Sequence, residues 1–324
     1  MKKVVIDTLA GDNSAYEIAR GGVLAKKSDP SLGVVLVGPK EDLLNAIADE
    51  GLKASDFELI DCNLAFTNHD NPKTLAMGEN HTSLAEGLAK LKNDPECIGI
   101  ISCGSTGGLL VGSIFRLGML AHCKIPALAA RLYAVTGRPL ILLDCGANMD
   151  IDAKLMAKFA KLGSALANSL ENVENPRIGL LNVGKEEGKG NAVLKEAYGL
   201  LKDSNLNFVG NLEGHDIFME KADVIVCDGY VGNVVLKLAE SLGLYASRVV
   251  GSVEDSEKAQ YLSKVVHDNF AYTELGASIL LGTKKICLKC HGSADRNGVF
   301  ETIGMMKKLD EGHLITSLEG VLEQ

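Results

Sequence analysis

Residues 178–201, IGLLNVGKEEGKGNAVLKEAYGLL, pass from an unbroken apolar run into a turn crowded with glycine, lysine and glutamate, and then into a helix-period segment. A strand without polar alternation is buried on both faces, which marks a parallel sheet sheltered by helices. The same order recurs at 98–118 (IGIISCGSTGGLLVGSIFRLG), 140–163 (LILLDCGANMDIDAKLMAKFAKLG), 223–243 (DVIVCDGYVGNVVLKLAESLG) and 286–306 (ICLKCHGSADRNGVFETIGMM). It also opens the chain at 4–27, VVIDTLAGDNSAYEIARGGVLAKK. Repetition of strand, turn and helix predicts a three-layer α/β/α sandwich with a mostly parallel sheet. Parallel strands end at one edge, where ligands bind. The charged turn at 180–191 is therefore expected to emerge from a buried strand into a ligand crevice, with the other glycine turns converging on it. Residues 233–275 lack a strand pattern and are expected to form a helical excursion. No linker or repeat interrupts the remainder, so residues 1–324 read as one α/β/α domain with room for two lobes.

The composition sets limits on function. Among 324 residues, 46% are hydrophobic and 23% charged, enough for a large core. A net charge of −9 without a long basic run argues against nucleic acid as a partner. Asp7 breaks the first apolar run, and no stretch approaches the ~18 apolar residues of a spanning helix, so a cytosolic protein is expected. Cys97, Cys103, Cys145 and Cys227 each stand in an apolar run and read as reduced, buried side chains.

The turn from Gly184 to Asn191 superficially suggests a nucleotide phosphate loop, but it has three residues between its outer glycines and Gly190 stands where that loop needs a hydroxyl. What remains is an anion site made of backbone N–H groups at a helix start, with Lys189 beside them. Standing alone, the turn reads equally well as a solvated surface loop. Cys287-Leu288-Lys289-Cys290-His291 fits a haem-attachment pattern, yet there is neither an export signal nor a second CxxC, so neither haem nor metal is expected. His291, at a strand end before Gly292 and Ser293, is the more interesting residue. In SCGSTGGLL (102–110), the hydroxyls of Ser102, Ser105 and Thr106 with the amides around Gly104 and Gly107 could cradle a phosphate or an oxyanion. No GxGxxG occurs, so a dinucleotide is not expected. Lys154, Lys158 and Lys161 share a helix face and read as solvated.

Taken together, IDTLAGDN, SCGSTGGLL, LLDCGANMD, GLLNVGKEEGKGN, CDGYVGNVVLK, YTELGASILLG and HGSAD resemble, in order and over most of the chain, the phosphate acyltransferases of bacterial phospholipid synthesis. The resemblance implies an isopropylmalate-dehydrogenase-like α/β/α fold, a homodimer built on the helical excursion, and transfer of a fatty acyl group from acyl carrier protein to inorganic phosphate without nucleotide or metal. It assigns Lys189, with Gly184, Glu186, Glu187, Gly188, Gly190, Asn191 and the preceding Asn182, to phosphate. Asn148 or Asn233 would donate to the oxyanion or to phosphate, and Asp228 would orient phosphate or take its proton. His291 would protonate the departing thiol, with Gly292 and Ser293 beside it. Asp7, Gly11, Asp12 and Asn13 would shape the pocket, together with Asp144, Gly146, Gly229 and Gly232.

The chain also departs from the family pattern. DTLAGD replaces DAMGGD, and SCGSTGG replaces SAGNTGA with Ser105 at the asparagine. GENHTSL (78–84) lacks the family's lysine and paired serines, and IPALA places Ile125 at its arginine. Loss of basic groups predicts weaker phosphate binding. GSVEDSEKAQ (251–260) is acidic where members carry an apolar, basic tip that touches membrane, and anionic lipid would repel it. Two other readings stay open: a phosphotransacylase using acyl-CoA, and a non-catalytic relative that binds acyl chains or acyl carrier protein.

Overall fold

The computed structural model describes residues 1–76, 80–253, 257–270 and 277–323. The strands are β1 (Lys3–Asp7), β2 (Gly33–Gly38), β3 (Glu58–Asp61), β4 (Cys97–Ser102), β5 (Ala127–Tyr133), β6 (Pro139–Leu143), β7 (Ile178–Leu181), β8 (Phe208–Leu212), β9 (Val224–Val226), β10 (Ala277–Leu281) and β11 (Ile286–Cys290). The helices are α1 (Ala15–Ser28), α2 (Lys40–Asp49), α3 (Ser83–Asn93), α4 (Thr106–Gly112), α5 (Ala153–Glu171), α6 (Ala192–Lys202), α7 (Gly229–Val253), α8 (Glu257–Phe270), α9 (Arg296–Glu311) and α10 (Leu314–Leu322). The chain divides into two compact units, Met1–Pro126 with Thr273–Glu311, and Ala127–Tyr272 with Gly312–Gln324.

In the first unit the strand order is β3-β2-β1-β4-β11-β10. All neighbours are parallel except β10, which runs against β11. Side-chain parity shows how the strands are covered, because alternate residues of a strand point to opposite faces. A Cβ on Gly22 of α1 would touch Ile6, Val34 and Leu36, whereas one on Gly87 of α3 would touch Val5, Val37 and Ile100. The two helices thus cover opposite faces, and α9 joins α1's side, where Gly99 seats Met306. Both faces being buried, β1 and β2 have no use for polar alternation, which is why their sequences are continuous Val, Ile and Leu.

The second unit has the order β5-β6-β9-β7-β8, with β5 antiparallel to β6 and the rest parallel. Gly163 of α5 packs on Leu143 and Val224, while Leu140, Leu142 and Ile225, of opposite parity, join Leu236 and Ala239 of α7 in one apolar cluster. Helices therefore cover both faces here as well. The excursion begins earlier than expected, since α7 starts at Gly229 and pairs with α8. Residues 254–256 of the acidic tip and 271–276, which include the start of the YTELGASILLG motif, lie outside the described residues. No helix among the described residues is long and apolar enough to cross a membrane.

Candidate active site

In the first unit, the turns following β1, β4 and β11 meet because those strands are parallel neighbours. At their base Asp7 is buried, accepting hydrogen bonds from Ser83 Oγ at 2.6 Å, Ser102 Oγ at 2.8 Å and Leu9 N–H at 3.3 Å. Burial pushes its carboxyl up to about 6, against the pull of those donors and of Lys289. Asp7 and Ser102 thus support the turns from beneath rather than reach a ligand. Above them the Asp12 N–H donates to Gly292 O at 2.7 Å, and Asn13 Nδ2 donates to Ser293 O and Ala294 O at 2.9 and 3.0 Å. A Cβ on Gly11 would lie 3.0 Å from Cys103 Cβ, and one on Gly104 2.9 Å from Ala10 Cβ, so the first two turns touch. Ser105 spends its hydroxyl capping α4, accepting from Gly108 N–H at 3.3 Å, while Thr106 and Gly107 are half-buried beside it. His291 is half-buried, with Nδ1 2.7 Å from Ser293 Oγ.

Two residues of this cluster were not picked out as functional from the sequence. Ser83 lies in the GENHTSL segment, read there only as a departure, yet its hydroxyl is the shortest contact to Asp7. Lys289, hidden in an apolar strand, sends its ammonium to the Cys103 and Cys290 carbonyls. A lone lysine within ICLKC was the available signal.

The Asp7 shift has a consequence for stability. The folded carboxyl holds its proton up to about pH 6 and an unfolded one only to about pH 4. Between these values the unfolded chain releases the proton first, so stability is greatest below about pH 4 and falls as pH rises to about 6. Two pH units correspond to about 3 kcal/mol. Asp7→Asn, which keeps an acceptor for the serines, is expected to remove a decline of that order from urea-unfolding free energies measured across pH 4–7. An unchanged slope would assign it to other groups.

In the second unit, β6, β9 and β7 are parallel neighbours and bring together the turns at 144–148, 227–229 and 182–191. Asp144 is fully buried, and its carboxylate accepts from the N–H groups of Leu128, Gly146, Ala147 and Asn148 and from Asn148 Nδ2, at 2.7–3.2 Å. Burial raises its pKa and these donors pull it back. Its oxygens are spent on its own turn and on Leu128 of β5, a correction to its expected place against substrate. The Asn148 amide likewise turns inward to Asp144, while Asn233 is packed against Gly146 and half-buried. Asp228, half-buried, accepts from Val231 N–H at 2.8 Å, and Gly229 N–H donates to Asn148 O at 2.8 Å.

The 182–191 turn is tethered from below. Asn182 Oδ1 accepts from Val183 N–H at 2.8 Å, and its Nδ2 donates to Lys189 O at 3.2 Å and to Asn211 Oδ1 at 3.1 Å. Asn211 Nδ2 in turn donates to Glu186 O at 2.9 Å. Gly190 has a φ of 85°, and a Cβ there would stand 2.6 Å from Asn182 Oδ1, so only glycine closes the turn. Asn191 caps α6, accepting from Leu194 N–H at 2.9 Å. Lys189 is exposed with Nζ 3.8 Å from Glu186, Glu187 pairs with Lys202, and Gly184 and Gly188 complete the loop.

A family model described as fatty acid synthesis protein matches residues 2–315. The chain is 32% identical over 333 residues to the phosphate acyltransferase of Clostridium novyi (strain NT), covering 99% of each. It is also 32% identical over 331 residues to the phosphate acyltransferase of Bacillus cereus (strain ATCC 14579), covering 99% of this chain and 98% of the other. Among solved structures, the EutD phosphotransacetylase from Staphylococcus aureus matches with a TM-score of 0.61 at 13% identity, covering 95% of this chain and 94% of that one. A branched-chain phosphotransacylase from Enterococcus faecalis V583 matches with a TM-score of 0.59 at 15% identity, over 96% and 100%. These structural likenesses establish the α/β fold.

Proposed function

The chain belongs to the fatty acid synthesis protein family and is a phosphate acyltransferase, and on that premise we propose that it moves a fatty acyl group from acyl carrier protein to inorganic phosphate for phospholipid synthesis. A phosphate oxygen attacks the thioester carbonyl, a C–O bond forms, the tetrahedral oxyanion collapses, and the C–S bond breaks with release of the thiol. In the second unit, Lys189 and the amides of its turn hold phosphate, Asp228 orients it, and Asn233 donates to negative oxygen. In the first unit, His291 supplies a proton to sulfur.

The observation that carries this reading is the company kept on the second unit's turns. Met149 and Val183 are exposed, at 53% and 79%, on the edge that also bears Lys189, Asp228 and Asn233. Apolar surface for an acyl chain is thereby offered beside polar groups for an anion. The proposed homodimer is supported by α7, where Tyr230, Val234, Leu238, Leu242, Tyr245 and Val249 are exposed in a row spaced by three and four residues. Sedimentation of the chain as a monomer at micromolar concentration would remove the dimer.

The test of activity mixes purified protein with inorganic phosphate and an acyl-acyl carrier protein thioester, and looks for acyl phosphate by mass spectrometry. Phosphate-dependent product is expected. Product from acyl-CoA with none from the carrier protein would move the assignment to a CoA-dependent phosphotransacylase. Absence of product from both donors would remove the enzymatic reading.

A further inference from the structure

The three glycine turns of the first unit meet around one partly buried cation. Lys289 is the penultimate residue of β11, in register with Ser102, the last residue of β4. Its Nζ donates to the carbonyl of Cys103, which opens the turn after β4, and to that of Cys290, the last residue of its own strand before the HGSAD turn. Facing the same ammonium are Asp7 and Asp12 from β1 and its turn, Cys103 from β4's end, and Cys290 on its own strand. Burial of a lysine is costly and lowers its pKa, and it is tolerated where opposite charge and hydrogen-bond acceptors surround the head group. Both conditions are met here, at the point from which the proposed catalytic His291 departs.

We propose that Lys289 is a positioning residue for acyl transfer, its ammonium holding the 103–107 and 8–13 turns against the end of β11, from which the 291–294 turn departs, by donating to the Cys103 and Cys290 carbonyls and offsetting Asp7 and Asp12. The proposal rests on the functional reading above for what the turns do, but not for the clamp itself. Asp7 faces burial with Ser83, Ser102 and Leu9 N–H as its only hydrogen-bond donors among the described residues. Without the neighbouring cation its carboxyl, already raised to about 6, holds its proton to still higher pH, and the turn above it loses an anchor.

The experiment compares Lys289→Met, which keeps the stem and deletes the charge, with Lys289→Arg, which keeps the charge. Infrared difference spectra at pH 7 are expected to show a new carboxylic acid band in Lys289→Met. That band should be absent from wild type, from Lys289→Arg and from the Lys289→Met/Asp7→Asn double variant. Acyl phosphate formation is expected to fall about 100-fold in Lys289→Met and by less than about tenfold in Lys289→Arg, of the size expected for misplaced catalytic groups. A Lys289→Met protein with full activity, or one that loses activity without the new band, would overturn the clamp. Should Lys289→Met fail to fold, Lys289→Arg decides: a loss of less than about tenfold supports the clamp, and a loss of about 100-fold overturns it. If wild type itself makes no acyl phosphate, the functional reading fails while the infrared arm still judges the clamp.

Discussion

Gly232→Ala is expected to destabilise the second unit by at least about 3 kcal/mol and to abolish acyl transfer with it. A Cβ at this position would stand 1.9 Å from the Asp144 carbonyl oxygen and 3.0 Å from Cys227 Sγ. Backbone, rather than the end of a flexible side chain, is what it would strike. Relief requires the first turn of α7 to lift from the 144–148 turn, breaking the seat where Gly229 N–H meets Asn148 O. Gly199→Ala is the control, because nothing lies within 4 Å of its Cβ position in α6. That substitution should stabilise by about 0.5–1 kcal/mol through helix propensity alone. Urea unfolding of the two variants should therefore shift in opposite directions. A Gly232→Ala midpoint equal to that of wild type would show that the helix is not seated so closely.

The second large effect is expected at His291, where His291→Ala should slow acyl phosphate formation by about 100-fold or more. The ring's Nδ1 accepts from Ser293 N–H at 3.3 Å and lies 2.7 Å from the Ser293 hydroxyl. A nitrogen that accepts carries no proton, so this hydrogen-bond pattern assigns the proton to Nε2. The ring is thus held in the tautomer that can donate to a departing sulfur. The signature is leaving-group dependence: a donor that releases an acidic aryl thiol needs no proton, and the variant's deficit should shrink towards wild type with it. An equal deficit for alkyl and aryl thioesters would take proton donation away from His291. Ser293→Ala, which only frees the ring, should cost about tenfold or less.

The alternation of buried strand and glycine turn was plain in the residues, because a strand covered on both faces must be apolar throughout and its exit must be flexible or polar. Strand direction was not. ALAARLY of β5 and ASILL of β10 are built of the same apolar residues as the parallel strands, and direction lies instead in connection length. The short link between β5 and β6, closed by Ala134 N–H to Arg138 O at 2.8 Å, is a hairpin where a helix crossover would have needed a dozen residues. The division into two units was equally hidden, since no linker composition accompanies it.

Within the site, residues that stand on turns could be picked out, while those that hold the turns could not. Ser83 meets Asp7 across 76 positions of sequence, and Lys289 meets Cys103 across 186. Only closure of the sheet brings such partners together. Asp144 misled in the opposite sense: an acidic residue before glycine at a strand end suggests a ligand contact, but its lone pairs are consumed by the amides next to it.

That consumption has a consequence of its own. A carboxylate encircled by N–H groups of its own loop and by that of Leu128 on β5 makes the 144–148 segment complete before any substrate is present. The ordering entropy of that corner is therefore settled during folding rather than at the moment of encounter. Phosphate and acyl donor then meet a corner whose backbone is already set, so the side chains around it are the place to look for changes of substrate preference.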